Sequence, residues 1–60
     1  MNMSKWYVTH PHDKKEVPET RGKSKQESQE LFLLRMSMLK GVHQPWVWWE
    51  KQGYKVRRST

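Results

Sequence analysis

The stretch Trp46-Val47-Trp48-Trp49-Glu50-Lys51-Gln52-Gly53-Tyr54-Lys55-Val56-Arg57-Arg58 decides the fold, because it reads in two ways. As a hairpin, its tryptophans and valines suit strands, and Lys51-Gln52-Gly53 suits a three-residue loop with glycine in the left-handed position. As a short helix, it would begin at Pro45 and end at Gly53. The hairpin register is the more orderly. Pairing Glu50 with Tyr54 sets Trp48 opposite Val56 and Trp49 opposite Lys55. One face then carries Trp46, Trp48, Tyr54 and Val56, and the other carries Val47, Trp49, Lys55 and Arg57. A helix over Trp46–Trp49 would spread its indoles around the axis. The sequence predicts a hairpin.

Upstream lies the clearest helix signal. Ser24 and Glu27 form a capping-box pattern ahead of an apolar run, and Lys40-Gly41 closes it with a cation and a left-handed cap. At about 100° per residue, Leu31, Phe32, Leu34, Met36, Met38 and Leu39 fall within an arc of roughly 200°, with Arg35 inside it and Leu33 outside. That arc is wider than packing on one small sheet requires. Near the N-terminus, Lys5-Trp6-Tyr7-Val8-Thr9-His10 reads as a strand stopped by Pro11, with Trp6 and Val8 on one face and Lys5, Tyr7 and Thr9 on the other. Residues 11–23 are polar, carry Pro11, Pro18 and Gly22, and read as a mobile loop with room for a short edge segment near Val17.

These elements predict a single small α+β domain over residues 1–60. Its order is strand, helix, β-hairpin: a three-stranded antiparallel sheet with one helix packed on one face. Trp6, Val8, Trp46, Trp48, Tyr54 and Val56 would pack on Leu31, Leu34 and Met38.

Size and composition bound the function. A chain of 60 residues buries only about 60% of its unfolded surface, so its stability is thin. It has no cysteine, hence no disulfide and no thiolate metal site. No apolar segment follows Met1–Ser4 as a targeting signal would need, and Leu31–Leu34 and Trp46–Trp49 are too short to span a bilayer. A cytoplasmic location and no membrane partner are expected. The net charge is +6 and is concentrated at the end: residues 42–60 carry four bases and one acid, Glu50. A basic end rich in tryptophan favours polyanions.

The candidate site follows from the predicted register. Tyr7 and Trp49 would stack on bases, while Lys55, Arg57 and Arg58 would meet phosphates, with Lys5 beside them. The expected function is a small basic, non-enzymatic binding module for RNA or DNA, or for a ribonucleoprotein or transcription assembly. A second reading comes from the wide helix arc. Phe32, Leu33, Met36 and Leu39 would dock into a groove of a protein partner, making the chain an inhibitor or adaptor of a larger enzyme, or would close a homodimer.

Other chemistries find less support. His10-Pro11-His12-Asp13 and His43 match no structural zinc spacing, so no metal is expected. Phosphate-loop and dinucleotide glycine patterns are absent, as Gly22, Gly41 and Gly53 stand alone. No nucleophile motif appears, and so short a chain has little room for a water-excluding pocket. No cofactor and no small-molecule substrate are expected.

Overall fold

Ser24 starts the long helix as its capping box requires. The Ser24 hydroxyl accepts from the Glu27 amide at 3.1 Å, and the Glu27 carboxylate accepts from the Lys23 amide at 2.6 Å. Helix α1 then runs Lys25–Lys40 and ends at Gly41, whose φ of 65° is the left-handed cap read from the sequence. The computed structural model describes residues 5–59; Met1–Ser4, read above for a targeting signal, and Thr60 lie outside the described residues. Strand β1 is Lys5–Thr9, a second, short helix α2 is Trp46–Lys51, and strand β2 is Lys55–Ser59.

The sheet differs from the expected one. It has two strands, β1 and β2, paired antiparallel with Tyr7 opposite Arg57 and Val8 opposite Val56. The hairpin over Trp46–Arg57 does not form, so the three-stranded sheet is replaced by a two-stranded one within a small α+β fold. The reason lies in how the indoles share faces. Trp46 and Trp49 are three residues apart, so a helix turns both toward the core, and each meets the Phe32 ring edge-on at centroid distances of 5.6 and 5.0 Å. Val47 and Trp48 are left outside. Pro45 precedes the helix in an extended conformation at φ −68°, a torsion that enters a helix without strain.

Gly53 then does other work than a hairpin turn. Its amide bonds to the Glu50 carbonyl at 3.0 Å, ending α2, and its φ of 107° turns the chain into β2. A Cβ there would stand 2.6 Å from Pro11 Cβ, so glycine also admits the chain end of β1.

Residues 15–22, part of the 11–23 stretch expected as a mobile loop with room for a short edge segment near Val17, run beside the free edge of β1. Trp6 and Gly22 exchange backbone bonds of 2.9 Å, and the Val17 amide donates to the Val8 carbonyl at 2.7 Å. Buried hydroxyls complete this lane. Thr20 Oγ1 accepts from the Val8 amide at 3.0 Å and donates to the Val17 carbonyl at 2.8 Å, while Ser28 Oγ donates to the Thr20 carbonyl at 2.8 Å. Each such bond contributes about 1 kcal/mol net, and losing one would strand a buried partner.

The core is small: Val8, Val17, Phe32, Met36 and Trp49, flanked by Leu33, Val42, Trp46, Tyr54 and Val56. Along α1, Ser28, Phe32 and Met36 face inward, each four residues from the next. This reverses the expected faces of the helix. Phe32 and Met36, assigned to a partner, are buried in the chain's own core, and Leu33 packs against its edge. Leu34 and Met38, assigned to the core, stand 57% and 74% exposed. Apolar residues nearly all round α1 left the choice to shape, and the aromatic box around Phe32 made it.

Trp48 and Trp49 of α2 separate this fold from the hairpin. We expect Trp49→Ala to cost about 3–5 kcal/mol in urea denaturation, as for loss of a buried aromatic. Trp48→Ala should cost about 1 kcal/mol, as for a typical point substitution. The opposite ranking would favour the hairpin.

Candidate nucleic-acid interface

Cross-strand pairing assigns side chains to faces. Directly opposed residues share a face, so Val8 and Val56 mark the inner side of the sheet. Trp6 and Arg58 lie on that side too, with the Arg58 guanidinium 5.8 Å from the Trp6 ring centre. Lys5, Tyr7, Thr9, Lys55, Arg57 and Ser59 share the outer side. Of the residues assigned to nucleic acid, Tyr7, Lys55 and Arg57 are therefore brought together, with Lys5 beside them. Arg58 turns to the opposite face, where it holds partners of its own.

Trp49 does not join them. It is 6% exposed, and its indole nitrogen donates to the Gln44 carbonyl at 3.2 Å. Its stacking role falls away because it sits on the inward side of α2. Trp48, read as core, is instead 38% exposed, meeting Trp49 edge-on at 4.9 Å. The signal for this exchange was Pro45, which marks a helix start, weighed below the strand preference of tryptophan.

A further residue completes the outer face. Arg21, from the lane beside β1, lies 5.2 Å from the Tyr7 ring centre. Its guanidinium makes a forked pair with Glu16, Nε to Oε2 at 2.7 Å and Nη2 to Oε1 at 2.9 Å. Nothing in the spacing of Arg21 from Tyr7 announced this, since the loop's path beside β1 sets it. Tyr7 thus lies between Arg21 and Arg57, with Lys5 and Lys55 toward the two ends of the strand pair. Arg21 occupies space over the Tyr7 ring that a base would need. The face is suited to phosphate oxygens more than to stacking: lysine and arginine donors surround it, and Glu16 on it is already paired.

At the far end of the strand pair, beyond Thr9 and Lys55, an open depression of about 500 Å³ is lined by His10, Pro11, His12, Asp13, Trp48, Trp49, Gln52 and Tyr54. The His10 and Tyr54 rings lie 5.9 Å apart at one wall. Asp13 Oδ1 accepts from the Lys15 amide at 3.0 Å, and this bond foremost holds the carboxyl below its ordinary range. His43 is engaged elsewhere, with Nδ1 2.9 Å from Ser37 Oγ. Among the described residues, no group of three or more histidine, aspartate or glutamate side chains is placed to hold a metal ion.

A different surface lies on α1. Leu31, Leu34, Arg35, Met38 and Leu39 form, with Glu19, a mostly apolar groove of about 270 Å³. Arg35 Nη1 and Glu19 Oε1 pair at 2.7 Å within it. Of the four residues assigned to a protein partner, Leu39 alone lies fully open here, at 63% exposure. Among the described residues, no helix is long and apolar enough to cross a membrane.

The Glu16–Arg21 pair carries a pH signature. The Arg21 hydrogen bond, aided by its charge, holds the Glu16 carboxyl below the ordinary glutamate range and raises the arginine in turn. Stability from a depressed carboxylate is present above its unfolded value of about 4.3 and is lost as pH falls through the lower folded value. We expect a loss of stability between about pH 5 and pH 3 that is smaller in Glu16→Gln. Thermal melts of both proteins across that range would check it; equal slopes would mean the pair is not formed in solution. No protein-family model matches this chain, and neither the curated proteins nor the solved structures searched give a significant match.

Proposed function

We propose that this chain is a small non-enzymatic module that binds nucleic acid through the outer face of its sheet, with Lys5, Lys55 and Arg57 meeting phosphates around Tyr7. The observation that carries this reading is the strand register, which gathers these three cations on one side. The acid of that face, Glu16, is neutralised by Arg21. The net charge of +6 supplies long-range attraction to a polyanion. Arg58, on the other side of β2, is outside this group.

The bare stripe on α1 supports a second reading. Leu34, Met38 and Leu39 are large apolar side chains left in water on a chain with a small core. A protein groove that covers them would gain the apolar surface they bury. This stripe replaces Phe32 and Met36 as the protein-facing surface.

Fluorescence anisotropy of labelled RNA and DNA oligomers, single- and double-stranded, across a salt series tests the first reading. We expect log affinity to fall linearly with log salt at a slope of about −2 to −4. Replacing Lys5, Lys55 and Arg57 together by glutamine should flatten the slope by about one for each phosphate that no longer meets a cation. Replacing Leu34 and Met38 by glutamate should leave it unchanged. No binding at low salt would end the nucleic-acid reading.

A further inference from the structure

We infer that the depression between the His10–Asp13 turn and α2 is a pocket for one unstacked base of a single strand, and that it prefers guanine. This deepens the nucleic-acid reading and rests on it.

Position is the first support. The pocket adjoins the Thr9–Lys55 end of the strand pair: His10 follows Thr9, and Tyr54 precedes Lys55. Lys55, which would meet a phosphate, is thus the immediate neighbour of the pocket-lining Tyr54. The walls are the second support. Trp48, half in water, and the Tyr54 and His10 rings offer flat aromatic surface, which the outer face lacks once Arg21 occupies the space over Tyr7. Base stacking on such side chains is tolerant of sequence. The volume of about 500 Å³ falls within the range of small-ligand sites.

The polar groups give the preference. Asp13 lines the pocket, and the amide of Lys15 engages Oδ1, fixing the turn that presents the carboxylate. A carboxylate is an acceptor and meets N–H groups. Guanine alone among the common bases offers two adjacent donors, N1–H and the 2-amino group, on its Watson–Crick edge, a geometry that a carboxylate meets with both oxygens. Adenine and cytosine present one donor there beside an acceptor, and the acceptor would face the carboxylate charge. Gln52 and His12, also at the rim, can serve the remaining polar atoms.

The test is NMR titration of the full chain with GMP, AMP, CMP, UMP and inorganic phosphate. The probes are the four indole N–H signals and the ring signals of Tyr54 and His10. We expect GMP to shift Trp48, Tyr54 and His10 while phosphate alone leaves them in place. Trp48→Ala should weaken GMP about tenfold, in line with loss of one stacking surface. Asp13→Asn keeps an oxygen for the Lys15 amide and should bring GMP down to the affinity of AMP, a loss of about fivefold or more. If Trp48→Ala fails to fold, the exposed Asp13→Asn variant carries the test.

If GMP and phosphate shift only residues of the outer sheet face, the pocket is overturned and the phosphate-binding face stands. If GMP fills the pocket yet no oligomer binds in the salt series, the pocket stands and the nucleic-acid reading falls. Equal shifts from all four nucleotides would overturn the guanine preference, and no shift from any would overturn the pocket.

Discussion

Everything in this chain leans on the ring of Phe32. It is fully buried at the middle of α1 and boxed by three aromatic side chains: Trp46 and Trp49 from α2, and Tyr54 from the approach to β2, with centroids 5.6, 5.0 and 5.1 Å away. The two edge-on contacts, with Trp46 and Trp49, add about 0.5–1.5 kcal/mol each beyond the area they bury. In a core that counts five buried apolar residues among those described, that is a large share. The box explains why α2 is a helix, why β2 leaves it in the direction of β1, and why α1 turns its phenylalanine inward and Leu34 and Leu39 out.

A second constraint protects the strand that β2 leaves half paired. An open β1 edge would expose unpaired amides. The chain covers it with residues 15–22, held at both ends by backbone bonds and between them by Thr20, whose hydroxyl serves strand and loop together. Ser28 extends that stitching to α1. A polar residue on the inward face of a helix looks like a flaw in the apolar pattern until its partner is seen. The same lane brings Arg21 and Glu16 to the outer side of the sheet, so the covering of an edge also shapes the candidate interface.

The molecule thereby divides its chemistry by face. The outer side of the sheet is cationic, the far stripe of α1 is apolar and carries one internal ion pair, and the depression by the His10–Asp13 turn combines aromatic walls with a carboxylate. Trp48, left in water by α2, connects the aromatic core to that third surface.

What the sequence by itself determined is what depends on neighbours along the chain. Helix α1 was legible from Ser24, Glu27 and Gly41, because caps act within four residues. Strand β1 and its two faces were legible from alternation, and with them the placing of Lys5 and Tyr7 on one side and Trp6 and Val8 on the other. Lys55 and Arg57 joined Tyr7 as expected, since any antiparallel register keeping Val56 inward puts them outside. Tertiary structure decided the rest. Trp46–Trp49 carries strand propensity, yet the partner that fixes its conformation is Phe32, distant in sequence, and burial of two indoles on that ring outweighs local preference. The same ring chose which side of α1 faces in, which pattern could not, because both sides are apolar. Arg21 met Tyr7, and Trp48 came to line one depression with the His10–Asp13 turn, through chain paths that only packing sets.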